Sequence, residues 1–92
     1  MVTVVVLINV ERGQVNKVAS QLAGLDGVAE VYSVSGPHDL VAIIRVKSNE
    51  QMAELVTNQM HKVNGILRTE TLIAFRAFSR HDLEGMFELG LE

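Results

Sequence analysis

The chain has 92 residues, 48% of them hydrophobic, with a net charge of −3 and no cysteine. That length is a single domain near the small end of the usual range. Its scattered basic residues exclude a phosphate-binding surface, which needs clustered Lys and Arg, and the missing cysteines exclude disulfides and thiolate metal sites.

A domain this small hides only roughly 60–70% of the surface its unfolded chain exposes. So high an apolar content therefore predicts burial against copies of the same chain. The first ten residues are apolar but lack a basic leader segment and a small-residue cleavage site, and they fall short of the about 20 residues that cross a bilayer. The expected location is the cytoplasm.

Residues 2–10 form a β-branched run of strand length, continuous enough for a central strand buried on both faces. Val15, Val18, Ala19 and Leu22 then recur at helical spacing, and Gly24 and Gly27 punctuate the end. Residues 28–35 alternate as a second strand, with Val28, Glu30, Tyr32 and Val34 on one face. A polar turn, Gly36-Pro37-His38-Asp39, leads into a third strand over 40–46, again continuously apolar apart from Arg45. Arg45 needs a partner or a route to water, and a salt bridge across a subunit interface is the expected solution. Ser48 and Gln51 have the spacing of a capping box, and Met52, Leu55, Val56, Met60 and Val63 give the helix behind it. A fourth strand is expected over 66–78, with Leu67, Thr69, Thr71, Ile73, Phe75 and Ala77 on one face. A short helix through Leu83, Met86 and Phe87 closes the chain, so that residues 1–78 form the domain and 79–92 a helical tail.

Residues 25–31 (LDGVAEV) resemble residues 63–69 (VNGILRT), with Gly27 and Gly65 in register. Each half reads strand, helix, strand. Two such units in tandem predict an α+β sandwich of the ferredoxin-like βαββαβ kind, a four-stranded antiparallel sheet with both helices on one face. The other face, apolar on the central strands, is left for a second sheet at about 10 Å.

The Gly36–Asp39 turn is the first candidate for binding. Its bland role is a connector, with Gly and Pro setting the backbone and Asp accepting backbone N–H bonds. The same groups suit a zwitterion: Asp39 for an ammonium, exposed amides for a carboxylate. His38, His61 and His81 match no metal-ligand spacing, and no metal or cofactor is expected. No phosphate loop, nucleophile elbow or carboxylate pair appears, so an enzyme is not expected.

Gly36-x-x-Asp39 before an apolar strand, followed by Gly65-Ile66-x-x-Thr69-x-Thr71, resembles the ligand-binding (RAM) domain of Lrp/AsnC-family regulators. The likeness runs from about residue 2 to 78. It implies sheet-to-sheet dimers, assembly of dimers into octamer-like rings, and an amino acid or similar small effector bound between subunits. By position, Gly36 and Asp39 match the family's effector loop and Thr71 its last-strand threonine; Pro37 and His38, where this loop departs from the family's pattern, and Thr69 complete the candidate ligand-binding residues. Because residue 2 already begins the first strand, the resemblance implies a stand-alone form without the helix-turn-helix. Such a form acts in amino-acid-responsive regulation without touching DNA itself, and full-length relatives are candidate partners in mixed oligomers. Two other readings stay open, a small dimeric α+β-barrel enzyme and a pure oligomerisation scaffold. An RNA-recognition domain shares the topology but needs stacking aromatics that the central strands lack.

Overall fold

The structure, a computed structural model, describes residues 1–80. The expected helix through Leu83, Met86 and Phe87 lies outside the described residues.

The elements follow in the order β1 (Val2–Val10), α1 (Val15–Ala23), β2 (Val28–Ser33), β3 (Leu40–Val46), α2 (Asn49–Glu54) and β4 (Ile66–Ile73). The strands make one sheet in the order β2-β3-β1-β4, antiparallel at every pairing. This is the expected ferredoxin-like arrangement, with the two continuously apolar strands at its centre. On the helix side Val4, Val6 and Ile8 of β1 and Leu40, Ala42 and Ile44 of β3 meet Val18 and Leu22 of α1 and Leu55 and Met60 beyond α2. All of these are buried, and the burial of such a face is the main term holding the sheet to its helices.

The second helical segment is not one regular helix. Ser48 caps it, its Oγ accepting from the Gln51 amide at 3.2 Å. The return arm of the capping box reaches one residue further back, with Gln51 Oε1 accepting from the Lys47 amide at 2.8 Å. After Glu54 the coil widens into a π turn over Leu55–Gln59 and tightens into a 3-10 turn over Met60–Lys62. The Thr57 hydroxyl donates back to the Ala53 carbonyl, the kind of side-chain competition that bends a helix.

Two strands depart from strict alternation. Val28 pairs with Ile44 and Glu30 with Ile43, so Ala29 is an extra residue, a β-bulge. The bulge turns Val28 and Val31 toward the helices and Glu30 and Tyr32 to the open side, so Val28 does not share the face of Glu30 and Tyr32. Leu67 is the matching extra residue in β4, where Ile66 pairs with Val10 and Arg68 with Asn9. Ile66 therefore joins Thr69 and Thr71 on the helix side. β4 ends at Ile73, earlier than residue 78, because Val4 pairs with Ile73 and β1 has almost no chain left to pair with; one further bond runs from the Ala74 amide to the Thr3 carbonyl. Of the two glycines after α1, Gly24 keeps a right-handed φ of −83° and Gly27 takes the positive one, 95°.

The open face carries two cross-strand rows. Glu30, Ile43, Val5 and Leu72 form one; Tyr32, Val41, Leu7 and Glu70 form the other. Their centre is aliphatic and their outer ends are polar or half-exposed. Arg45 meets Glu30 within the chain, Nη1 to Oε1 at 3.4 Å, rather than needing a neighbouring subunit.

Candidate functional site

The Gly36–Asp39 turn crosses from β2 to β3 at the C-terminal end of β1. Gly36 adopts φ 110°, a conformation that glycine alone takes readily. The turn is stapled to β1 from two directions. The Asp39 amide donates to the Ile8 carbonyl at 2.9 Å, and Asp39 Oδ2 accepts from the Val10 amide at 2.9 Å. The carboxylate thus supplies the acceptor that the next residue of a longer β3 would have supplied, one rung past the strand's first residue. Its other oxygen, Oδ1, accepts no hydrogen bond among the described residues.

Asn9 clamps the rest of the turn. Its Nδ2 donates to the Pro37 carbonyl at 2.8 Å, which leaves its Oδ1 to face His38 Nδ1 at 3.0 Å. That acceptor fixes the proton of His38 on Nδ1, and the other ring nitrogen, Nε2, looks toward Glu70 Oε2 at 4.0 Å. The His38 side chain is 22% exposed.

The structure divides the six candidate residues. His38 lies on the open side with Glu70, whereas Thr69 and Thr71, paired with Ile8 and Val6, face the helices. No hydrogen bond among the described residues joins the turn to either threonine. Within one chain Thr69, paired with Ile8, shares the turn's end of the sheet, Thr71, paired with Val6, lies at mid-strand, and neither shares a surface with His38.

Sequence reasoning passed over two features. The first is Asn9, inside an apolar run, whose only signal was an amide at the last alternation before a break. The second is a cleft of about 210 Å³ between β4 and the widened helical segment. Val6, Met60, Val63 and Ile66 line it apolarly, and His61, Arg68 and Thr69 are its polar lining. Thr69 is the one candidate residue that enters it.

A third cluster sits at the far edge of the open face. The Tyr32 hydroxyl donates to Glu30 Oε2 while Arg45 meets Oε1. The tyrosine bond first, then the arginine, holds the Glu30 carboxyl below its ordinary range, and the same bond pushes the Tyr32 phenol up. Among the described residues no three side chains form a metal-binding group, and no helix is long and apolar enough to cross a membrane.

Comparison with known proteins gives one consistent answer. The sequence profile of the Lrp/AsnC ligand binding domain matches residues 3–83. TTHA0845 from Thermus thermophilus is 46% identical, superposes with a TM-score of 0.81, and is matched over 87% of this chain and 100% of its own. The HTH-type transcriptional regulator PF1231 of Pyrococcus furiosus is 33% identical over 72 residues, covering 78% of this chain and 49% of that protein. The feast or famine regulatory protein Rv3291c of M. tuberculosis, solved in complex with L-methionine, is 22% identical with a TM-score of 0.72, over 86% of this chain and 53% of its own, a likeness of fold alone. The chain thus spans about half or less of the length of the curated regulators it resembles, 39% in another Pyrococcus case.

Proposed function

Because the chain belongs to the Lrp/AsnC ligand-binding domain family, we propose that it is an effector-binding and assembly module of amino-acid-responsive transcriptional regulation. The observation that carries this is the match of that family over residues 3–83. Its relatives are transcriptional regulators, which favours a regulatory over an enzymatic role. The effector is an amino acid or similar small molecule, in keeping with the methionine held by Rv3291c. Copies pair through the aliphatic rows of the open face, dimers join into rings in the cytoplasm, and full-length relatives enter the same assembly. Gly36, Pro37, His38 and Asp39 of one copy, with Thr69 and Thr71 of a neighbour, form the effector site. Support for a shared site comes from Thr69, which lies at the turn's end of the sheet but on the opposite surface from His38; Thr71 follows it on that surface toward mid-strand.

A thermal-shift panel of the standard amino acids tests the effector reading, since a ligand that binds only the native state raises its midpoint. One or a few amino acids should raise it. Asp39→Asn keeps an acceptor for the Val10 amide but removes the charge, so it should abolish the shift while leaving the fold and the assembly intact. A flat panel sinks the effector reading and leaves an oligomerisation scaffold.

A further inference from the structure

The cleft between β4 and the helical segment has a chemistry different from that of the turn. We infer that it is a second, separate binding site, one for a small monocarboxylate with a branched or straight apolar tail and no ammonium group. This does not rest on the turn's holding a zwitterion.

Three observations point to it. The first is size. About 210 Å³ is room for about seven waters at roughly 30 Å³ each, below the usual range of drug-sized pockets and right for a tail of a few carbons. The second is charge. Among the described residues its polar lining comes from His61, Arg68 and Thr69, two residues of basic type and one hydroxyl, with no Asp or Glu. A carboxylate therefore finds donors there, whereas an ammonium carried in beside it finds no carboxylate to offset its desolvation. The apolar lining, with Val6 and Met60 fully or nearly fully buried, takes the tail.

The third is how the cleft is built. Val56 lies in the π turn and Met60 and His61 in the 3-10 turn that follows, so the wall facing β4 comes from the irregular part of the segment. A π turn is rare relative to a regular helix, and such turns frequently occur at functional sites. The opposite wall includes Ile66 and Leu67, the two residues at the β4 bulge, another local irregularity that re-aims side chains. Both walls depart from regular structure at the cleft.

The test is an amide-resolved NMR titration of the full chain with 4-methylpentanoate, with leucine as the zwitterionic counterpart of similar tail. The carboxylate should shift the amides of Val56, Met60 and Val63 saturably and bind at least about tenfold tighter than leucine does at those amides, the discrimination expected when one buried charge is left unpaired. Arg68→Gln should weaken the carboxylate by about tenfold. Val56→Phe, which fills the cleft, should abolish its binding while the spectrum stays folded. Leucine binding at these amides as tightly as the carboxylate overturns the inference, as does the absence of saturable shifts with the carboxylate or an unchanged affinity in both variants. Amides beside Asp39 report the turn independently, so failure there is distinguishable from failure here.

Discussion

Gly27 and Gly65 occupy equivalent places in the two halves of the chain. Their φ angles are 95° and 101°; each carbonyl accepts a backbone bond from an adjacent segment, Gly27 from Arg45 in β3 and Gly65 from Glu11 just past β1; and each is followed by a strand with a bulge at its second residue.

Substituting Gly27 therefore combines two penalties. A Cβ there falls 2.8 Å from Val46 Cγ1 and 3.1 Å from Leu55 Cδ2, on a backbone that L-residues resist. Gly27→Ala should cost about 2–4 kcal/mol, strain and overpacking together. Gly36→Ala, with φ 110° but open space around it, should cost about 1–2 kcal/mol. Urea unfolding of both variants checks the order.

Asp39 carries a structural bond whatever else it does. Asp39→Ala leaves the part-buried Val10 amide without its acceptor and should destabilise by about 1–3 kcal/mol. Asp39→Asn should cost clearly less. Equal losses in urea unfolding would show that charge, rather than the hydrogen bond, is what the position contributes.

The clamp on the turn predicts a tautomer. Nitrogen chemical shifts of the His38 ring should show the neutral form protonated on Nδ1. Asn9→Ala should abolish that preference and speed hydrogen exchange at the Asp39 amide, with a stability loss of about 1 kcal/mol per lost bond. An unchanged Nδ1-protonated tautomer would mean that Asn9 does not set the ring, since Glu70, facing Nε2, favours the proton on that nitrogen instead.

Glu30 and Tyr32 titrate in opposite directions from one bond. Glu30 is depressed, so its contribution is complete above its ordinary value of 4.5 and is lost as pH falls through the lower folded value. Tyr32 is raised, so its contribution is complete below its ordinary value of 10.0 and is lost as pH climbs through the higher folded value. Tyr32→Phe should move the Glu30 carboxyl back up toward its ordinary range, though not fully, because Arg45 remains. A carbon-detected titration of Glu30 reads this directly.

The aliphatic rows of the open face predict what holds an assembly together. Ile43 and Val5 face each other at its centre. Ile43→Asp places a charge there and should convert an oligomer to the 10.1 kDa monomer by light scattering, while far-UV circular dichroism stays unchanged. A wild-type protein already at that mass would remove the sheet-pairing reading.

The architecture was legible because periodicity is a property of single segments: the continuous runs of β1 and β3 announced central strands, and Val15, Val18 and Leu22 announced a helix. What escaped depends on relations between segments. The bulges at Ala29 and Leu67 come from pairing with a neighbouring strand, so strict alternation put Val28 beside Glu30, which the bulge separates from it. The end of β4 is set by where β1 begins, which nothing in residues 66–78 encodes. The π turn, where Thr57 reaches back to Ala53, has no signature in the apolar stripe, and the cleft beside it depends on how that turn meets β4. At the turn, Gly36 and Asp39 stood out by type, but the engagement of one Asp39 oxygen by Val10, 29 residues away, is visible only in three dimensions.

The strand order has a consequence for how the molecule comes together. In β2-β3-β1-β4 every adjacent pair joins a strand from the first half to one from the second. Neither half owns a single ladder, so neither has a nucleus that persists alone. Cutting the chain at the turn should yield two fragments that are each unstructured yet fold on mixing. In the intact chain, formation should be all-or-none, and slower than for a helical protein of this length because its defining pairings span long loops.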